Sequence, residues 1–280
     1  MKVMVYGTGT MGAGIVQVVA EAGFPVVNMG RSEESIKRGL SGIEKNLNKA
    51  LEKGKITAEQ KNKTMGLISW TTNLQEAAAG VDFVIESVAE KMEIKRDIFR
   101  QLDEVCAPGT ILTTNTSALS ISEIASATKR ADKVIGMHFS NPAPVMKWIE
   151  IIKGFVTSEE TYAFTRDLAE KFGKVPVKVE ESPGFVLNRI LIPMINEAIF
   201  TYSEGVASIE DIDISMKLGA NQPIGPLALA DLIGLDIVLF VMDTYLKEFG
   251  DSKYRACPLL RKMVRAGHLG RKTGKGFYTY

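Results

Sequence analysis

Only two cysteines, two histidines and two tryptophans occur among the 280 residues. Cys106 and Cys257 form no CxxC pair and have no histidine cluster around them. Neither a disulfide framework nor a metal site is therefore indicated. No apolar run approaches the ~20 residues that a membrane-spanning helix needs. The opening stretch MKVMVYGTG is not laid out as a signal peptide, because its apolar run passes at once into glycines. A cytoplasmic location is the resulting expectation. An excess of charge is missing too: 34 Lys+Arg against 33 Asp+Glu leave a net +1. That balance argues against a general nucleic-acid or membrane-surface binder, while leaving room for a local basic patch facing a phosphorylated ligand. What is present is ordinary globular material, 45% hydrophobic and 24% charged, in a length that suits two domains.

The first half alternates strand-like and helical patterns. Lys2 to Tyr6, Val26 to Met29, Val81 to Val88, Thr110 to Thr114 and Lys133 to Phe139 read as strands, with helices over Met11 to Ala22 and Ile94 to Cys106. This rhythm predicts an α/β fold with a Rossmann-type, doubly wound parallel sheet covered by helices. A helical pair over Ile36 to Leu67, broken at Gly54, is inserted into it, and Thr57 to Gln60 (TAEQ) predicts a capping box. From about Pro183 strand patterns cease. Helices are predicted over Phe185 to Val206, Ile209 to Leu218, Leu227 to Phe249 and Pro258 to Ala266. The first is apolar nearly all round, which predicts burial on more than one side. The expected domains are 1–183, binding a dinucleotide, and 184–280, an all-helical substrate and dimerisation domain.

Gly7 to Gly12 (GTGTMG) lies between a strand and a helix. In that context the first glycine serves a tight turn, Gly9 admits a pyrophosphate, and Gly12 lets helix and strand pack closely. Thr10 and Met11 open the helix, whose unpaired N–H groups and positive dipole end suit phosphates. NAD sites usually carry an acid ~20 residues beyond the loop, on the ribose 2′-OH. Here Gly30, Arg31 and Ser32 stand there instead. A guanidinium binds a 2′-phosphate that a carboxylate would repel, so NADP is favoured over NAD. The alternative keeps Arg31 as an exposed turn residue, with Glu33 or Glu34 reaching the ribose.

His138 closes a strand and precedes a proline-stiffened loop, SNPAP. Strand C-termini of an open α/β sheet face the ligand crevice. Glu150 lies twelve positions on, within an apolar run, Trp148 to Ile152. A carboxylate so embedded needs a partner, and an imidazole that it orients becomes a general base. A purely structural His–Glu pair is the competing reading. His268 sits in a polar, glycine-rich segment and reads as a surface residue.

Several motifs in fixed order carry a family resemblance: GTGTMGAG from Gly7, NTSALS from Asn115, GMHFSNPAP from Gly136, PGFVLNR from Pro183 and GRKTGKGFY from Gly270. With them the chain resembles, end to end, the 3-hydroxyacyl-CoA dehydrogenase family, and within it the short bacterial 3-hydroxybutyryl-CoA members. The resemblance implies an oxidoreductase interconverting an (S)-3-hydroxyacyl-CoA and a 3-oxoacyl-CoA. It makes His138 the base and Glu150 its partner. Ser117 and Asn188 match positions at the substrate oxygen, with Asn141 in the same pocket. Asn115, Glu90 and Lys95 fall at cofactor positions, the last two near its ribose and nicotinamide ends. Lys53 and Lys55, with Lys45 and Lys49, are CoA candidates. A homodimer is implied as well. Local readings stand beside these: Ser117 as turn punctuation before a cap at Ser120 to Glu123, Asn188 as a helix bridge, and the charged groups as solvated faces. The chain departs from the family at Gly30-Arg31, Ser140 and Trp148, and the indole favours short acyl chains. Two rival functions are a dehydrogenase of free hydroxy or sugar acids and a catalytically silent structural protein on this fold.

Overall fold

A computed structural model describes residues 1–280 and divides them into two compact units, Met1–Ser182 and Pro183–Tyr280. The first runs β1 (Val3–Tyr6), α1 (Thr10–Glu21), β2 (Val26–Met29), α2 (Glu33–Glu52), α3 (Ala58–Gly66), β3 (Ile68–Thr71), α4 (Leu74–Ala78) and β4 (Phe83–Glu86). It continues through α5 (Met92–Val105), β5 (Ile111–Thr114), α6 (Ile121–Ala125), β6 (Val134–Phe139), β7 (Trp148–Lys153), α7 (Glu159–Lys171) and β8 (Val175–Glu180). One sheet of order β3-β2-β1-β4-β5-β6-β7-β8 results. All neighbours are parallel except β6 and β7. The order reverses at β1, the switch point beside which dinucleotides bind in doubly wound folds.

The five predicted strands form, and β1, β2, β4, β5 and β6 are almost wholly buried, as their near-continuous apolar sequences require. Three further strands escaped the pattern. β3 and β8 are the two edges, largely solvent-facing, and β8 carries Pro176. An edge position tolerates proline because one side of the strand needs no N–H donor. β7 is the apolar run around Glu150, turned antiparallel to β6. The helical pair is α2 and α3, with Gly54 at φ +65° after α2 and the predicted Thr57–Gln60 capping box formed in both directions. The Ser120 cap is also present, its hydroxyl accepting the Glu123 N–H at 3.0 Å.

The second unit holds α8 (Leu187–Ser203), α9 (Ile209–Gly219), α10 (Pro226–Ile233), α11 (Leu235–Phe249) and α12 (Pro258–Arg265). The predicted helix from Leu227 to Phe249 is thus two helices. Gly234, at φ +105°, ends one and starts the next. Nor is α8 buried all round: Ile192, Ile195, Asn196 and Ile199 form one covered stripe, while Ile190 is 66% exposed. His268 is half-buried rather than fully at the surface. The C-terminal segment is fastened by two buried carboxylates. Asp231 accepts the N–H groups of Phe277 and Tyr278, each at 2.9 Å, and Asp213 accepts the Tyr278 hydroxyl at 2.9 Å.

Candidate active site

The glycine loop leaves β1 and turns into α1. Gly7 has φ +132°, and a Cβ there would stand 2.2 Å from the Ser87 carbonyl oxygen, so both conformation and space demand glycine. A Cβ on Gly12 would stand 2.3 Å from the Gly7 carbonyl oxygen, whereas one on Gly9 would meet nothing within 4 Å. The closed glycines make the turn, and the open one leaves room for a ligand. No side chain caps α1. Its first N–H groups and dipole therefore point into a cavity of about 580 Å³, walled by Gly7 to Gly12, Met29, Gly30, Arg31, Glu90, Asn115 and Ser117 among others.

Of the expected cofactor residues, Gly7, Gly9, Thr10, Met11, Gly12, Gly30, Arg31, Glu90 and Asn115 line this cavity. Ser32 does not. Its hydroxyl caps α2, accepting the Ser35 N–H at 3.2 Å in a reciprocal box. Lys95 does not line it either. Its side chain is wholly buried, with the ammonium 2.7 and 2.9 Å from the two Glu86 oxygens and 3.4 Å from Glu90. Glu90 in turn accepts Thr116 Oγ1 at 2.5 Å and the Ser117 N–H at 2.8 Å, so it pins the turn that carries Ser117.

Several residues in this wall or directly behind it carry no expectation from the sequence. Buried Asn28 on β2 donates to the Gly7 carbonyl at 2.8 Å and the Val5 carbonyl at 3.2 Å, bracing the loop from behind. A polar residue within an otherwise apolar strand was the available signal. Thr8 and Tyr6 also form part of the wall. Burial, and then nearby Asp97, push the Tyr6 hydroxyl above its ordinary 10.0, against the opposing pull of Arg31.

His138 and Glu150 face one another directly across the antiparallel β6–β7 ladder. The imidazole Nδ1 lies 2.9 Å from Glu150 Oε2, and the carboxylate is fully buried. Trp148, at the start of β7, sets its ring edge-on to the imidazole with centroids 5.9 Å apart. Asn115 links this pair to the cavity, since its Oδ1 accepts the Phe139 N–H at 2.8 Å, one residue beyond His138. Asn141 is exposed in the loop after β6. Asn188 belongs to the second unit, as the second residue of α8, and its part at the substrate rests on the sequence motif alone. Lys53 and Lys55 are exposed beyond α2, and Lys45 and Lys49 share a polar face of that helix with Glu44 and Glu52.

Two family models match the chain. Residues 2–182 match the 3-hydroxyacyl-CoA dehydrogenase NAD binding domain, and residues 184–280 match the 3-hydroxyacyl-CoA dehydrogenase C-terminal domain. The chain belongs to the 3-hydroxyacyl-CoA dehydrogenase family. Among its relatives, 3-hydroxybutyryl-CoA dehydrogenase of Clostridioides difficile is 55% identical over 280 residues, covering 100% of this chain and 99% of the relative. The human mitochondrial hydroxyacyl-coenzyme A dehydrogenase is 40% identical, covering 99% and 90%. The crystal structure of (S)-3-hydroxybutyryl-CoA dehydrogenase from Ralstonia eutropha superposes with a TM-score of 0.98 at 46% identity, covering 100% and 98%. No helix of the chain is long and apolar enough to cross a membrane.

Proposed function

We propose that the chain interconverts (S)-3-hydroxybutyryl-CoA and acetoacetyl-CoA, with NADP(H) used in preference to NAD(H). The observation that carries the chemistry is the buried contact of 2.9 Å between His138 Nδ1 and Glu150 at the end of a central strand. With the Nδ1 proton held against the carboxylate, the basic lone pair lies on Nε2. A nicotinamide cofactor, which Gly7 to Gly12 and Arg31 would hold, would supply hydride transfer between its ring and C3 of the substrate. His138 removes the proton of the 3-hydroxyl in oxidation and returns it to the oxygen in reduction. Ser117 is assigned the hydrogen bond to that oxygen, a role supported by the turn that Glu90 fixes through the Ser117 N–H. Glu150 keeps the tautomer and the ring orientation. Trp148 beside the imidazole narrows the acyl end and supports a short chain. Lys53 and Lys55 are assigned to the CoA phosphates.

The cofactor preference is supported by the wall beyond β2. Met29, Gly30 and Arg31 line it, so this stretch of wall carries a guanidinium and no carboxylate. Glu90, the carboxylate in the same cavity, is engaged by Lys95, Thr116 and Ser117. A homodimer built through the second unit is part of the same reading, supported by Ile190, Leu218 and Phe240, which are 66%, 81% and 57% exposed.

Steady-state kinetics tests the proposal, with NADPH and NADH each offered against acetoacetyl-CoA, and free acetoacetate as control. The expected pattern is turnover of the thioester only, with the higher kcat/KM for NADPH. His138→Gln is expected to lower kcat by ~10²–10⁴-fold while leaving cofactor affinity nearly intact. Equal loss of binding and turnover would assign His138 a folding role instead.

A further inference from the structure

We infer that Thr8 and Ile36 are specificity-determining residues: they occupy the space beside position 30 that the side chain of a ribose-binding acid would need. The inference rests on the proposed NADP(H) preference and explains how the fold enforces it. Gly30 is buried at the end of β2 and is not among the glycines with positive φ, so its backbone places no demand on residue type. Its demand is spatial. A Cβ at Gly30 would stand 2.5 Å from Ile36 Cγ1, 2.8 Å from Thr8 Cγ2 and 3.1 Å from Ile36 Cδ1.

Neither neighbour yields easily. Both are β-branched and stiff at χ1, and Ile36 is completely buried. The helix carrying Ile36 is itself held in place. Gly39, one turn further along α2, lies so close to the glycine loop that a Cβ there would be 3.3 Å from the Thr8 carbonyl oxygen. The Ser32–Ser35 capping box fixes the start of the same helix. An aspartate or glutamate at position 30 therefore cannot be accommodated while Thr8 and Ile36 keep their places. The site is left to exposed Arg31, the adjoining cation, whose chemistry suits a 2′-phosphate.

The test combines thermal unfolding with equilibrium binding of NADPH and NADH, followed by cofactor fluorescence. Gly30→Ala, which adds only the methyl group, should lower Tm by several degrees in the otherwise unaltered protein. In a Thr8→Ala/Ile36→Ala background the additional loss should be at most half as large. Gly30→Asp alone should weaken NADPH at least tenfold and gain no NADH affinity. In the opened background the same change should move the NADH/NADPH affinity ratio at least tenfold toward NADH. A Gly30→Asp protein with unchanged Tm and tight NADH binding would overturn the inference. So would strictly additive Tm losses. If the unaltered protein itself bound NADH more tightly, the cofactor reading would fall, while the Tm cycle would still decide whether Thr8 and Ile36 close the space.

Discussion

Cys106 is 5% exposed, and burial pushes its thiol up to about 11 from an ordinary 9.0, against the opposing pull of the Arg130 guanidinium. A pKa raised by folding means that the native state keeps a proton which the unfolded chain releases first. The stability this confers is complete below pH 9 and is lost as pH climbs from 9 toward 11. Tm should therefore fall more steeply over that interval in the unaltered protein than in Cys106→Ala, measured by calorimetry across the range. At pH 8, Cys106 should resist thiol reagents until denaturant is added, because the thiolate is the reactive form. Glu150 shows a different use of burial. Its carboxylate is hidden among β-strand residues, and an imidazole placed directly opposite on the next strand makes that position tolerable.

β2 supports the cofactor wall from behind the glycine loop. Its central Asn28 places a side-chain amide behind the glycine loop and donates to two carbonyls at once. Asn28→Leu would fill the volume but leave the Gly7 carbonyl without that donor, at a cost of about 1–3 kcal/mol. Urea unfolding should show that loss, and NADPH affinity should drop with it because the loop is no longer braced. The connection between β6 and β7 is stabilised in a comparable way. Buried Lys174 donates to the carbonyls of Ala143 and Met146, at 2.6 and 2.8 Å, and burial depresses its pKa. The loop so held joins the strands that carry His138 and Glu150.

The two compact units divide the labour of the chain between a sheet that carries the cavity and a helical unit whose interior is closed by Tyr245, Tyr254, Leu260 and their neighbours. Around that interior the helical unit still exposes large apolar side chains on α8, α9 and α11. Exposed apolar groups of this size are stabilised by covering them. Light scattering should therefore give a mass near twice the 30.6 kDa of one chain, and Leu218→Asp with Phe240→Asp should move the protein toward the monomer. A monomeric unaltered protein would remove the proposed dimer.

Much of this was legible beforehand, for definite reasons. Five strands were readable because burial on both faces selects continuous apolar runs, and the turn at Gly7 because its geometry admits only glycine. His138 and Glu150 could be named as partners from their types and surroundings. Other features depended on contacts between distant segments. Edge strands β3 and β8 escaped because solvent-facing positions impose no pattern, and the break at Gly234 because the apolar helical pattern continues on both sides of a single glycine, which a helix can tolerate. Ser32 was expected at the cofactor, yet its hydroxyl is taken up by a helix cap. Lys95 was expected there too, yet it points inward to Glu86. The wall that Thr8 and Ile36 build around Gly30 emerges only when α2 is seated on the loop, because close packing is a property of neighbours in space. Residue types and local periodicity determined which chemistry the chain can perform, and the packing of one segment on another decided which side chains are left to perform it.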